Sequence, residues 1–301
     1  MNTKTIYATQ KNLKPVKPNL LYEKLDKHIG SNKLNFSNSG GLRKKNYYKS
    51  SIKDKPLISI ITVSFNSEKT IEKTIISVLQ QNYENIEYIV IDGNSKDGTL
   101  DIIKKYEGSI DLWVSENDEG IFNAINKGIS NCSGDIIGIL NSDDYFYEDA
   151  LQIVKSYFET MPNIDFLFGS VNKHIIKHGF YPNKIFFTFE FYTSHSLGFF
   201  IKSSSQKKIG YYNIKYKYSA DYDLFYRMIV KLKMIGTSTK KNEIMGFFNP
   251  HGLSSRLRYI DYLNENTRIR LDNGQNKIIV WIIHFLRLSK RIFRVIKEIK
   301  K

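Results

Sequence analysis

The chain has 301 residues, 41% of them hydrophobic and 25% charged, so it has enough apolar sequence to bury a full core in one large domain or two lobes. Its single cysteine, Cys132, excludes a disulfide-stabilised scaffold and indicates a reducing compartment. The net charge of +15 comes from the ends, since residues 1–55 carry 13 Lys and Arg against 3 Asp and Glu, and residues 277–301 carry 8 against 1.

The body between these basic ends is nearly neutral, with 24 Lys and Arg against 26 Asp and Glu in residues 56–276. A groove that follows a nucleic-acid backbone needs basic residues on the folded body, and neither an RNP-like aromatic motif nor zinc-finger spacing occurs in the sequence. We therefore expect no nucleic-acid partner. The first residues also lack the apolar core of a signal peptide, so we expect a cytoplasmic protein.

The body begins with alternating predicted strands and helices. Residues 57–63 form a continuous apolar and β-branched run that is typical of a parallel strand buried on both faces, and the stretches 86–91, 110–115 and 135–140 are predicted as further strands. The stretches between them, at 71–79, 100–106 and 121–129, have apolar side chains at helical spacing. This order predicts an α/β fold with a parallel sheet and right-handed crossovers.

Polar side chains follow each of the four predicted strands: Asn66, then Asp92, then Glu116 with Asp118, then Asp143 with Asp144. Any one of these clusters alone would be read as an ordinary turn. Ligands of open α/β sheets bind outside the carboxyl ends of the strands, so four clusters at that edge predict a ligand site. The sequence has no G-x-G-x-x-G after the first strand and no Walker A motif, whereas paired carboxylates suit Mg²⁺ or Mn²⁺ bound to a diphosphate.

The stretches "ISIITVSFNSEKT", "IEYIVIDGNSKDGT", "ENDEGIFNAINKGI" and "ILNSDD", in this order, resemble the family-2 glycosyltransferases, and among them the bacterial branch that builds capsule, O-antigen or colanic-acid-like polysaccharides. The resemblance runs from about residue 57 to about residue 255. It implies the GT-A fold, a Rossmann-like, mostly parallel sheet with helices on both faces and an added acceptor-side region. We expect four parts: a basic extension (1–55), a nucleotide-sugar-binding half (56–150), an acceptor-binding half with the catalytic base (151–276) and a basic amphipathic helix (277–301).

The resemblance also implies roles for single residues of the donor site. Asp92 would accept a hydrogen bond from the imide N–H of uracil. The backbone around Thr62, Val63 and Asn66 would hold the nucleoside. Asp118 would lie beside the nucleotide and the donor sugar, and Glu116 would lie near it. For these two acidic residues, capping of the following helix remains the alternative.

Asp143 and Asp144 resemble the metal motif of the family, which is commonly D-x-D-D, with Asn141 in place of the first Asp. The substitution leaves open whether Asp143 faces the ribose or the metal. Of the two carboxylates, Asp144 is the favoured ligand of a Mn²⁺ or Mg²⁺ ion.

The stretch "YSADYDLFYRMIVKL", residues 218–232, places Asp221 at the start of a predicted helix. It resembles the E-D motif of the family, with Ala220 in place of Glu, and the resemblance implies that Asp221 is the catalytic base. A helix cap is the alternative for this residue.

Two further segments are expected on the acceptor or diphosphate side. His195, in "SHSLGFF", matches a position where related enzymes often have a His near the acceptor, although a histidine packed in the core is the alternative. Gly252 and Ser254, in "NPHGLSSR", resemble a Gly-rich stretch that approaches the diphosphate.

The C-terminal stretch 277–301 is too interrupted by polar residues to span a bilayer and reads as amphipathic, with Trp281 and Phe285 among aliphatic residues. We expect an interfacial helix on an anionic membrane, with a helix packed on the enzyme body as the alternative.

Together these features predict an inverting, metal-dependent glycosyltransferase. It would move a sugar from a nucleotide-sugar donor, with UDP favoured, to a hydroxyl of a lipid-linked saccharide at the inner face of the cytoplasmic membrane. A nucleotide-binding protein without transfer activity is the main alternative, since Asn141 and Ala220 depart from the family motifs. A receiver-type phosphoacceptor module is disfavoured by the long sequence after the Asp pair and by the lack of a suitably placed Lys.

Overall fold

The computed structural model of the protein describes residues 22–24, 36, 38–187, 190–250, 252 and 258–292. Its strands are β1 (Tyr22–Lys24), β2 (Ser39–Gly40), β3 (Tyr47–Lys49), β4 (Ile58–Ser64), β5 (Ile86–Asp92), β6 (Leu112–Ser115), β7 (Ile136–Asn141), β8 (Tyr145–Phe146), β9 (Phe166–Phe168), β10 (Ser170–Lys173), β11 (Ile175–Lys177), β12 (Phe199–Lys202), β13 (Gly236–Ser238) and β14 (Ile244–Phe247). Its α-helices are α1 (Ile71–Leu79), α2 (Thr99–Lys105), α3 (Ile121–Ser130), α4 (Ala150–Thr160), α5 (Ser203–Ile209), α6 (Ala220–Tyr226), α7 (Tyr259–Asp272) and α8 (Lys277–Lys290). Short 3-10 helices span Leu42–Lys45 and Pro182–Phe186, and a π-helical turn spans Arg227–Lys231.

An eight-stranded sheet forms the centre of the fold, in the order β13-β9-β12-β7-β4-β5-β6-β2. The four strands β7, β4, β5 and β6 are parallel, which confirms the predicted α/β fold. Antiparallel pairing of β12 with β7 and β9, and of β2 with β6, extends this core on both sides. The sheet is therefore mixed, with its parallel part at the centre.

Helices cover both faces of the sheet, and β4 shows how the sequence specifies this. All seven residues of β4 are buried. Ile60 belongs to an apolar cluster with α1, α2 and α4, whereas its neighbour Ile61 belongs to a cluster on the other face with α3, α6 and α7. Because side chains alternate along a strand, a strand covered on both faces is largely apolar, and the buried Ser59 and Thr62 of β4 are hydrogen-bonded to Glu87 and Tyr88 of β5.

A second, four-stranded sheet has the order β11-β10-β14-β8. Strand β8 begins at Tyr145, directly after the Asp143–Asp144 pair, and its partner β14 ends at Phe247. Strand β10 pairs with β14 on its other side. This small sheet therefore brings segments that are distant in the sequence next to the acidic pair.

The described part of the N-terminal extension covers one edge of the central sheet. Strand β2 pairs with β6, and the Arg43 guanidinium donates to the buried carboxylate of Glu87. Lys49 Nζ lies 3.0 Å from Asp111 Oδ2, and this pair is also nearly buried. Breaking a buried ion pair costs about 3–5 kcal/mol, so these contacts attach the segment firmly to the body.

The C-terminal helix α8 packs against α7 through Val280 and His284, which are both buried. The His284 Nδ1 atom lies 2.9 Å from the Thr267 hydroxyl on α7. The other face of α8 is apolar and exposed, and it includes Ile278, Trp281, Ile282, Phe285 and Leu286. No described helix has the length and apolar character that crossing a bilayer requires. One face of α8 is thus part of the fold, and the other is open to a partner.

Candidate active site

The loops that follow β4, β5 and β7 are joined to one another at the carboxyl edge of the sheet. The Asn66 backbone N–H donates to Ser95 Oγ at 2.8 Å, and the Asn66 side chain accepts from the backbone N–H of Lys96 at 2.9 Å. The hydroxyls of Ser67 and Ser142 lie 2.8 Å apart. The structure therefore brings the polar residues at the strand ends together on one surface.

Asp92 lies inside this edge and is fully buried. Its carboxylate accepts hydrogen bonds from the hydroxyls of Ser64 (3.1 Å) and Ser115 (2.7 Å) and from the backbone N–H (3.0 Å) and hydroxyl of Ser95. Four donors from the protein thus already satisfy both oxygens. A role of Asp92 in binding uracil stays a prediction, and in this structure the carboxylate joins the ends of three neighbouring segments.

Thr62 and Val63 lie within β4, where both are buried and paired with β5 on one side and β7 on the other. Asn66, with a left-handed φ of 49°, is exposed at the edge. Next to it, the Phe65 ring is 61% exposed, which is unusual for a side chain directly after a buried strand. An exposed aromatic ring offers a face on which a planar base can stack.

Asp118 and Glu116 have different surroundings in the loop before α3. Glu116 forms an ion pair with Lys127 at 2.7 Å. Asp118 Oδ1 accepts a hydrogen bond from the backbone N–H of Gly120 at 2.8 Å, just before α3, but no side chain caps the first turn of that helix among the described residues. Its Oδ2 would lie 2.6 Å from a Cβ atom at Gly93, so a side chain at Gly93 would displace this carboxylate.

Asp144 is the more buried member of the acidic pair, with 1% of its surface exposed. Its oxygens accept hydrogen bonds from the Ser196 hydroxyl at 2.7 Å and from the backbone N–H of Asn249 at 2.8 Å. Burial raises the pKa of Asp144 to about 7, and the neighbouring Asp143 contributes to the increase. Both oxygens of Asp144 are therefore held by the protein itself.

Asp143 is only partly buried, and the Asn249 side-chain amide donates to its Oδ2 at 3.3 Å. Burial also raises the pKa of Asp143. Gly252 lies against the same carboxylate, since a Cβ atom there would lie 2.7 Å from Asp143 Oδ2. The other residue expected on this side, Ser254, lies outside the described residues. Asp143 is therefore the more accessible carboxylate of the pair.

The side chain of Asn141 supplies a test of whether this site fits a cation. Its Oδ1 is buried and has no hydrogen-bond partner among the described residues, although its backbone N–H donates to Ser196 Oγ at 2.8 Å. No group of three or more His, Cys, Asp and Glu side chains in the described part of the chain could hold a metal. A buried amide oxygen without a donor, next to two carboxylates with raised pKa values, fits a divalent cation that takes its remaining ligands from water and phosphate.

Asp221 lies in the first turn of α6. The Tyr192 hydroxyl donates to Asp221 Oδ2 at 2.9 Å, and the backbone N–H of Tyr222 contacts Oδ1 at 2.9 Å. Burial and the charge of Asp221 raise the pKa of Tyr192 well above its ordinary value, so Tyr192 stays a donor. Asp223, two residues later, is buried and bound to Arg227 and Asn273 at 2.8 Å and 2.9 Å. Asp221 is thus the more available carboxylate of α6.

His195 lies among aromatic rings near Asp221. Its Nε2 lies 2.8 Å from the Tyr212 hydroxyl, and its ring is near those of Phe122, Phe199 and Phe225. Burial lowers the pKa of His195, and the charge of Asp221 partly opposes this effect. These surroundings are those expected of a histidine packed in the core. The ring is also close enough to Asp221, the candidate base, to be influenced by its charge.

The family model for Glycosyl transferase family 2 matches residues 59–220, which is more than half of the chain. The chain belongs to this family. Among its relatives, WfgD of Escherichia coli is 34% identical over 137 residues, covering 44% of this chain and 54% of WfgD. Its full name is UDP-Glc:alpha-D-GlcNAc-diphosphoundecaprenol beta-1,3-glucosyltransferase. Overall, the chain spans 35% to 59% of the length of the curated relatives it matches.

Solved structures of similar fold include residues 1–349 of Staphylococcus aureus TarS in complex with UDP-GlcNAc, at a TM-score of 0.59 and 17% identity. The match covers 78% of this chain and 72% of that one. The mannosyltransferase PcManGT of Pyrobaculum calidifontis, in complex with GDP-Man and Mn²⁺, has a TM-score of 0.58 at 16% identity, covering 80% and 72%. This family-2 member therefore has the GT-A fold, as the sequence resemblance implies.

Several residues of the candidate site were missed by the sequence analysis. Phe65 could have been noticed as an aromatic residue directly after a buried strand. Tyr192 lies in a stretch so rich in rings that nothing distinguishes it. Asn249 belongs to the quoted stretch "NPHGLSSR", but its contacts with Asp143 and Asp144 could not be read from the sequence, because strand pairing in the small sheet brings these segments together.

Proposed function

We propose that the protein transfers a glycosyl group, with inversion, from a nucleotide-sugar to a hydroxyl of a lipid-linked saccharide. The observation that carries this proposal is the presence of two separate carboxylate centres in one GT-A fold. One combines Asp143 with the unpartnered oxygen of Asn141, and the other is Asp221 with its donor Tyr192. These two centres match the two tasks of the reaction, holding a diphosphate and removing a proton.

The donor side is assigned to Asp143, Asn141 and Asp144. Asp143 and the Asn141 oxygen would hold Mn²⁺ or Mg²⁺, while Asp144, bound to Ser196 and Asn249, keeps the pair in place. When bound, a divalent cation supplies positive charge for the departing diphosphate. The exposed Phe65 ring and Asp118 lie on the nucleoside side of this arrangement. UDP is the favoured nucleotide, as the names of WfgD and of the TarS complex suggest.

The acceptor side is assigned to Asp221. As the bond between the anomeric carbon and the diphosphate oxygen breaks, its electron pair stays on that oxygen. The acceptor hydroxyl oxygen bonds to the same carbon and its proton passes to Asp221. Tyr192 holds one carboxylate oxygen in place during this step. A single base is enough for inversion, because no covalent intermediate with the enzyme forms.

Release of free nucleoside diphosphate tests this function directly. The full chain is incubated with UDP-, GDP- and dTDP-sugars and an acceptor sugar linked to a lipid diphosphate, with Mn²⁺, with Mg²⁺ or with EDTA. We expect UDP release that requires the acceptor and the metal. Tight UDP binding without release from any sugar would support the alternative of a nucleotide-binding protein without transfer activity.

The same proposal places the enzyme on the inner face of the cytoplasmic membrane through the exposed face of α8. The 8 Lys and Arg of residues 277–301 each contribute roughly 1 kcal/mol at an anionic surface, and the apolar side chains add a contribution that salt does not screen. Deleting the helix would also remove Val280 and His284 from the fold, so point variants are the better test.

We expect the double variant Trp281→Ser, Phe285→Ser to bind anionic vesicles about tenfold more weakly than the unchanged protein in a sedimentation assay at physiological salt. These side chains are 46% and 61% exposed, so the change should leave the melting temperature unaltered. Ile235→Ser is the matched control, since Ile235 is 57% exposed but lies outside α8. Equal vesicle binding by all three proteins would contradict this orientation.

A further inference from the structure

Lys173, the last residue of β10, lies next to Phe248 and Asn249, the segment whose Asn249 contacts the acidic pair. Its ammonium lies 3.6 Å from the centre of the Phe248 ring. The backbone N–H of Phe248 donates to the carbonyl of Asn172 at 2.9 Å, which fixes the two segments side by side. The next residue, Asn249, contacts both Asp143 and Asp144.

The charge of Lys173 is also linked to both carboxylate centres. Its ammonium interacts electrostatically with Asp144 and with Asp221, and it is repelled by Lys177. Burial lowers the pKa of Lys173 to about 8, and the two carboxylates oppose this decrease. Lys173 is thus a partly buried cation within electrostatic reach of both Asp144 and Asp221.

The ammonium has few partners for such a position. Within the part of the chain that the structure describes, the ammonium has neither a hydrogen-bond acceptor nor an ion-pair partner. It lies against the face of the Phe248 ring. An ammonium carries three donors, and a partly desolvated one is costly unless an acceptor meets it. An anionic ligand bound beside Asp143 and Asp144 would supply such an acceptor.

We propose that Lys173 binds the phosphate oxygens of the nucleotide diphosphate and stabilises the negative charge that develops on them as the sugar leaves. This inference rests on the proposed function, because it takes the donor to be a nucleotide diphosphate sugar. Two adjacent carboxylates repel a diphosphate, and a fixed ammonium donating charge-assisted hydrogen bonds offsets that repulsion. Lys173 is thereby a catalytic residue that works alongside the metal-binding pair.

The test compares UDP with uridine, which has the same base and ribose but no phosphate. Lys173→Met keeps the aliphatic chain over Phe248 and removes the charge. Calorimetry of the full chain, with Mn²⁺ and with EDTA, should give a Kd for UDP raised about tenfold or more and a Kd for uridine that is unchanged. Lys173→Arg should recover part of the UDP affinity. Lys177→Met, which removes a nearby exposed lysine on β11, should leave both affinities as they are.

Three results would overturn the inference. Equal losses for UDP and uridine would mean that Lys173 only supports the local packing. An unchanged Kd for UDP would remove Lys173 from the phosphate site. If Lys173→Met raised only the KM of the acceptor, measured in the assay of UDP release, Lys173 would be assigned to the lipid diphosphate of the acceptor instead. Failure of the unchanged protein to bind UDP would count against the proposed function itself, so the two failures are distinguishable.

Discussion

Asp221→Asn should lower kcat by on the order of 10² or more while leaving the Kd for UDP and the melting temperature unchanged. Asn has the size of Asp and keeps an oxygen that can accept from Tyr192 or from the Tyr222 backbone N–H, so the start of α6 should stay folded. It cannot accept the proton of the acceptor hydroxyl. Single-turnover kinetics with saturating UDP-sugar separates this loss from any effect on donor binding.

Asp223→Asn is the matched comparison, because Asp223 is on the same helix but is bound to Arg227 and Asn273. Neutralising it leaves Arg227 without its ion-pair partner, so we expect a lower melting temperature and near-normal turnover per folded molecule. Near-normal turnover in Asp221→Asn, together with a large loss in Asp223→Asn, would move the base to Asp223.

Much of the fold could be predicted because its cause is local. A strand buried on both faces, such as β4, is largely apolar, and its polar side chains Ser59 and Thr62 are hydrogen-bonded within the sheet, so runs of polar residues begin where the sheet ends. The positions of Asn66, Asp92, Asp118 and Asp143 at one edge follow from that rule and from the parallel order of the strands.

The burial and the hydrogen-bond partners of each site residue could not be predicted in this way, because they depend on residues that are distant in the sequence. Asp92 is followed by many polar residues, yet only the fold shows that Ser64 and Ser115 satisfy its carboxylate. The position of Lys173 next to Asn249 depends on strand pairing across about 70 residues, which leaves no periodic signal in the sequence.

The acidic pair illustrates the same limit, because the two adjacent carboxylates look equivalent in the sequence. The sequence favours Asp144 as the ion ligand, a choice that stays a prediction. In the structure, Asp144 is held by Ser196 and Asn249, and Asp143 is the more accessible of the two. We therefore propose that Asp143 provides the main carboxylate ligand and that Asp144 positions it.

Asp143→Asn should then remove the Mn²⁺-dependent part of the UDP affinity, with a loss on the order of 10² or more, because even outer partners of a metal site are worth about 10–100-fold. The melting temperature without metal should stay the same or rise, since one of two repelling charges is removed. Asp144→Asn should act differently. Its amide group can accept from only one of Ser196 and Asn249, so the free energy of unfolding should fall by about 1–3 kcal/mol.

Asn141→Asp completes this comparison, because it places a third carboxylate where the unpartnered amide oxygen now lies. Without metal, the added charge beside Asp143 and Asp144 should lower the melting temperature. If the Asn141 oxygen faces the cation, Mn²⁺ should restore that loss and bind more tightly than it does to the unchanged protein, since affinity for such ions rises with the number of charged ligands. A melting temperature that falls and does not recover with Mn²⁺ would mean that this oxygen faces the ribose or another group, and that Asp143 binds the cation without it.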